Sequence, residues 1–143
     1  MKSHIIFDDT TQKQNALNWR SLRNWITKTV SDEGYIIGDL SFVFCDDAYL
    51  HKINLEFLEH DTLTDIVTFD YSSENIVSGE IYISAERVEE NANQFSQDFD
   101  MEIHRIIIHG VLHLLGYKDK TPKDKLLMTN KEDYYLSLPP ISE

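Results

Sequence analysis

The feature that most constrains this chain is a run with almost no polar residue, Ile106-Ile107-Ile108-His109-Gly110-Val111-Leu112-His113-Leu114-Leu115-Gly116, interrupted only by two histidines four positions apart. A helix that is apolar on nearly every side must be buried, so the rest of the chain has to be arranged around it. The pattern predicts that helix from about Asp98 to Leu115. Successive residues turn by about 100°, which sets positions i and i+4 on one face with their side chains close together. A single interior histidine satisfies itself on a backbone carbonyl. Two imidazoles on one face both need partners in one place, and one divalent cation serves both.

Gly116 has no Cβ and accepts the left-handed conformation that ends helices, so the chain can turn back and bring Asp119 to the same ion. His109, His113 and Asp119 then make three protein ligands. Three ligands leave coordination positions open, which marks a catalytic site rather than a structural one. The residue after His109 is Gly110, where zinc peptidases of the HExxH type carry a glutamate as general base, and this excludes peptide hydrolysis by that route. A divalent ion can itself ionise the water it binds, and a glycine here allows close approach of a strand or a bulky substrate. One zinc per chain is expected, with another divalent metal open, because two histidines and one carboxylate also form the ligand set of non-haem iron. His104 lies about half a turn from His113 and should not join them, while His4, His51 and His60 fall in unrelated segments and read as surface histidines.

Around this helix the pattern predicts an α+β fold, a mixed sheet of about four strands packed with about five helices, in one domain over residues 1–143. The strands are His4 to Asp8, Leu40 to Cys45, Asp65 to Asp70 and Gly79 to Ser84, the last two joined hairpin-fashion through the polar Ser72 to Asn75. Thr10 or Thr11 is a candidate cap for a helix from about Gln12 to Val30 that Gly34 ends. Asp46 or Asp47 caps a second helix with Leu50, Ile53, Asn54 and Phe57 at helical spacing, giving way to the polar Glu59-His60-Asp61. Ala85, Val88, Ala92 and Phe95 form the stripe of a third. Thr121-Pro122 opens the last helix, which Pro139-Pro140 closes.

A net charge of −12 argues against a general affinity for nucleic acid. The distribution is uneven: between Thr29 and His104 there are 18 acidic residues against Lys52 and Arg87 alone, whereas Lys118, Lys120, Lys123, Lys125 and Lys131 follow the histidine pair closely. Such a run is ordinarily a solvated helix face. The single Cys45 sits in a strand pattern, where a small buried thiol is expected, and it fits a reducing compartment. No segment is apolar over the length of a bilayer and the start does not read as a signal sequence, so an unexported cytoplasmic protein is expected.

The segment His109-Gly110-Val111-Leu112-His113-Leu114-Leu115-Gly116-Tyr117 resembles the HGxLHLxGYDH signature of the YbeY family of bacterial ribosomal-RNA-maturation endoribonucleases. Ile53-Asn54, then Thr64-Asp65-Ile66-Val67-Thr68-Phe69, then Gly79-Glu80-Ile81-Tyr82-Ile83-Ser84 are similar to the family's LN, TDVLSF and GDIxIS segments. The resemblance implies a metal-dependent endoribonuclease of single-strand type, acting in 16S ribosomal RNA 3′-end maturation and ribosome quality control, with ribosomal RNA and the ribosome or its proteins as partners. Lys118-Asp119 stands where the family commonly has Asp and then the third ligand His. Leu58 stands where it usually carries an arginine linked to cleavage. Arg105, Lys118, Lys120 and Lys123 are the candidates to face RNA phosphates in its place. Arg105 has a second reading, an ion pair with Glu102 or a neighbouring carboxylate. Asp65 either orients a ligand histidine or caps a turn. Two other functions stay open: an assembly factor that binds the ribosome without cutting, its metal structural, and an iron-dependent oxygenase.

Overall fold

The computed structural model describes residues 4–10, 18–58 and 64–138. They form β1 (His4–Asp9), α1 (Trp19–Asp32), β2 (Ile36–Cys45), α2 (Asp47–Leu58), β3 (Ile66–Asp70), β4 (Ile76–Ser84), α3 (Ala85–Gln94), α4 (Phe99–Leu114) and α5 (Pro122–Ser137). The strand order is β1-β2-β4-β3, with β1/β2 and β2/β4 parallel and β3/β4 antiparallel. Parallel neighbours need a crossover, which α1 provides between β1 and β2. The mixed sheet and the helix complement are those the sequence predicts.

Alternation along the strands builds the core. Phe42 pairs in register with Ile81 and Phe44 with Ile83, all four buried, and the buried Ile103, Ile107, Ile108, Val111 and Leu112 of α4 belong to the same cluster. Full burial of each such side chain contributes about 1.5–3 kcal/mol. A Cβ added at Gly110 would stand 2.9 Å from Ile66 Cδ1 and 3.1 Å from Ile81 Cγ2. The bare backbone at this position lets α4 lie directly on β3 and β4. The neighbour it meets is the sheet, not a substrate.

Several element boundaries differ from the sequence reading. Asn18, extended, caps α1 by accepting the Ser21 N–H, while Thr10 bonds the Phe44 carbonyl instead; the expected start at Thr11 or Gln12 lies outside the described residues, as do Glu59-His60-Asp61 and Pro139-Pro140. β2 begins at Ile36, four residues early, because a register shift between Ile37 and Leu40 breaks the alternation by which a strand is recognised. Phe57 and Phe95, expected on buried stripes, are 62% and 65% exposed, since each falls at the end of its helix where the packing surface stops. Thr121 and Asp124 close a reciprocal capping box at the start of α5. Among the described residues no helix is long and apolar enough to cross a membrane.

Candidate metal centre

α4 ends in a Schellman turn. The Gly116 N–H donates to the His113 carbonyl and the Tyr117 N–H to that of Leu112, with Gly116 at φ +101°. The returning chain is pinned from outside by Glu33, which accepts hydrogen bonds from the Tyr117 hydroxyl at 2.6 Å, the Lys131 ammonium at 3.2 Å and the Tyr135 hydroxyl. Burial raises the Glu33 pKa, but these donors outweigh it and hold the carboxyl below its ordinary value. A fixed turn in turn fixes Asp119.

The result is a triangle. His113 Nε2 lies 3.0 Å from His109 Nε2, and Asp119 Oδ2 lies 3.4 Å from the His109 nitrogen and 3.3 Å from that of His113. Ligands about 2.0–2.1 Å from a tetrahedral zinc are separated by edges of about 3.3–3.4 Å. The two edges to Asp119 match this spacing and the edge between the histidines, at 3.0 Å, is the short one, so the three groups suit a divalent cation in kind and closely in size.

Hydrogen bonding fixes what these atoms present. His113 Nδ1 lies 3.0 Å from the Tyr117 carbonyl, which can only accept, so that nitrogen carries the proton. His109 Nδ1 lies 2.6 Å from Glu132 Oε2, and the other oxygen of Glu132 accepts from Arg105 at 2.8 Å. With both protons on Nδ1, both Nε2 atoms turn lone pairs toward each other and toward the Asp119 carboxylate. Three electron-rich atoms converging in this way suit a divalent cation. Burial lowers the His109 pKa, but the hydrogen bond and charge of Glu132, followed by the charge of Asp119, raise it above the ordinary value.

The triangle opens on a cleft of about 360 Å³ lined by Asn54, Leu58, Thr64, Asp65 and Thr68 besides the three candidate ligands. A reactant can thus reach the side of the triangle that α4 does not cover.

Against this geometry, a sequence profile of the Endoribonuclease YbeY family matches residues 7–138. The chain belongs to the Endoribonuclease YbeY family. It is 56% identical over 116 residues to the YbeY endoribonuclease of Christiangramia forsetii, covering 81% of each chain. With that of Cytophaga hutchinsonii it shares 44% identity over 140 residues, 96% of this chain and 98% of the relative. The solution structure of a Thermotoga maritima protein superposes with a TM-score of 0.70 at 28% identity, covering 93% of this chain and 87% of that one.

The remaining predicted residues divide. Lys118, Lys120 and Lys123 are exposed and form no ion pair among the described residues. Arg105 is engaged by Glu132 and by Asp133, each at 2.8 Å, so the ion-pair reading describes its geometry, with α5 rather than Glu102 supplying the carboxylates. Leu58 stands at the cleft, 38% exposed. Asp65 lines it too, its pKa raised by burial, against which its backbone and the charges of His109 and Arg87 act. His104 bonds the Asp100 carbonyl at 2.7 Å and stays away from the centre, and His4 is exposed. His51 is half-buried rather than on the surface, and His60 lies outside the described residues. Cys45 is buried with its thiol pushed up to about 12, which makes it inert.

Sequence reasoning missed Glu33 and Glu132. Glu33 carries no local signal. Glu132 does: Met128, Glu132 and Tyr135 are the buried residues of α5, spaced i, i+4, i+7, and a carboxylate on such a stripe needs a partner.

Proposed function

We infer that this chain is a metal-dependent endoribonuclease whose cation is held by His109, His113 and Asp119, and whose substrate is ribosomal RNA in 16S 3′-end maturation and ribosome quality control. Zinc is the proposed ion, one per chain, in a cytoplasmic protein that meets the ribosome or its proteins. The observation carrying the reading is the convergence of two imidazole Nε2 atoms and a carboxylate oxygen within 3.4 Å of one another beside an open cleft. A bound divalent ion supplies Lewis acidity to a phosphodiester and lowers the pKa of water it binds.

The chain's own residues supply the rest. His109, His113 and Asp119 orient toward one point, and Lys118 and Lys120, exposed on either side of Asp119, offer charge to phosphates next to it. Arg105, already satisfied by two carboxylates, is assigned to support of the centre instead.

A second reading has one observation in its favour. Leu58 places an apolar side chain at the cleft where the family usually places an arginine, which suits an assembly factor that binds RNA without cutting it and keeps its metal for structure. Cleavage of a structured RNA, in preparations checked for contaminating ribonuclease, separates the two. The nuclease reading predicts cutting by the wild-type chain, lost in a folded His113→Ala variant and on chelation. Equal cutting by the variant refutes it, and RNA binding without cutting in the wild type selects the assembly factor.

A further inference from the structure

We propose that Glu132 is a positioning residue of the metal centre, whose buried carboxylate, clamped by Arg105, holds the His109 ring with Nε2 directed at the cation position. The inference rests on the reading of His109 as a ligand.

Glu132 is 6% exposed and sits on the buried stripe of α5, so both oxygens of its carboxyl group must be satisfied within the protein. Each oxygen has its own donor. Oε1 takes the Arg105 guanidinium at 2.8 Å and Oε2 takes His109 Nδ1 at 2.6 Å. Arg105 is itself fixed from a second direction by Asp133 at 2.8 Å, so the carboxylate cannot swing without breaking an ion pair. The tie between α5 and α4 is already made by Arg105, which belongs to α4. The other oxygen of Glu132 makes the shorter of the two bonds, to an imidazole on α4.

The two histidines are consequently held by unlike partners. His113 donates to a neutral backbone carbonyl at 3.0 Å, which orients the ring but adds no charge. His109 donates to an anion, which orients its ring and also makes Nε2 more basic. A carboxylate behind a ligand histidine strengthens its donation to a metal in this way, and losing it lowers metal affinity roughly 10- to 100-fold. Arg105 reaches the centre indirectly, by holding the Glu132 carboxylate in place.

The experiment uses the full chain with zinc as the probe. Long-range proton–nitrogen spectra report which ring nitrogen of His109 is protonated, and chelator competition reports zinc affinity. The wild type is expected to show the proton on Nδ1 with and without zinc, and the metal on Nε2. Folded Glu132→Ala is expected to bind zinc roughly 10- to 100-fold more weakly with that tautomer no longer fixed, and Glu132→Gln, which keeps one acceptor oxygen, to fall between. A role confined to packing would lower Tm in the variants and leave zinc affinity and tautomer unchanged, and that result overturns the proposal. If Glu132→Ala does not fold, the wild-type spectrum still decides, since zinc on Nδ1 contradicts it. A wild-type chain that binds no zinc removes the metal reading itself, an outcome distinct from loss of the Glu132 role alone.

Discussion

Two largely hidden carboxylates, one on α5 and one reaching α5 from the end of α1, are put to different uses. Glu33, at the end of α1, gathers two tyrosine hydroxyls and a lysine and so locks the turn that carries Asp119. Glu132, on α5, gathers an arginine and the ring of His109. Their side chains are similarly hidden, 12% and 8% exposed, so burial alone does not distinguish them. The partner does. A carboxylate bonded only to scaffold groups contributes stability, whereas one bonded to a candidate ligand also sets the properties of that ligand.

The contrast can be broken most forcefully at the ligands. His113→Ala should lower zinc affinity by more than the roughly 100-fold upper range for a supporting residue, measured by chelator competition on folded protein. A smaller loss would place His113 outside the ligand set. Next in size, Glu33→Gln leaves the Lys131 charge without its anion and weakens both tyrosine hydrogen bonds. It should cost about 1.5–3 kcal/mol in urea unfolding while zinc affinity falls by less than in Glu132→Ala. A large loss of zinc affinity without loss of stability would erase the distinction between the two carboxylates.

Glu33 also predicts a pH dependence. Its pKa is lowered in the folded chain from the ordinary 4.5, so the unfolded chain takes up this proton first as pH falls. The stability Glu33 confers is full above the ordinary value and is lost as pH drops through the folded one. The difference between wild type and Glu33→Gln should therefore be constant near neutrality and shrink in acid. The smallest effect concerns the flank of the centre: Lys120→Ala should reduce the salt dependence of RNA binding by a slope of about 1, with zinc affinity unaltered.

Much of this arrangement was legible in the sequence because its signals are local. The His109 and His113 spacing, the Gly116 turn and the Thr121-Pro122 helix start each lie within a few residues. The all-apolar run around the histidines required a buried helix, and α4 packs directly on β3 and β4. What could not be read depends on distant pairing. Glu132 meets His109 only after α5 folds back across α4, and Glu33 reaches Tyr117 from α1 across the fold. Ile36 to Asp39 escaped as strand because a register shift interrupts the alternation there. Asn18 caps α1 while Thr10 is held against the Phe44 carbonyl beside the sheet, and Thr11 lies outside the described residues.

The central claim, one cation held by His109, His113 and Asp119, is tested most directly by zinc-edge X-ray absorption on the stoichiometrically loaded chain. The account predicts a first shell of nitrogen and oxygen at about 2.0–2.1 Å, with outer-shell scattering from two imidazoles. A sulfur shell at about 2.3 Å, which could come only from Cys45 or a methionine, or a shell lacking imidazole scattering, would contradict it.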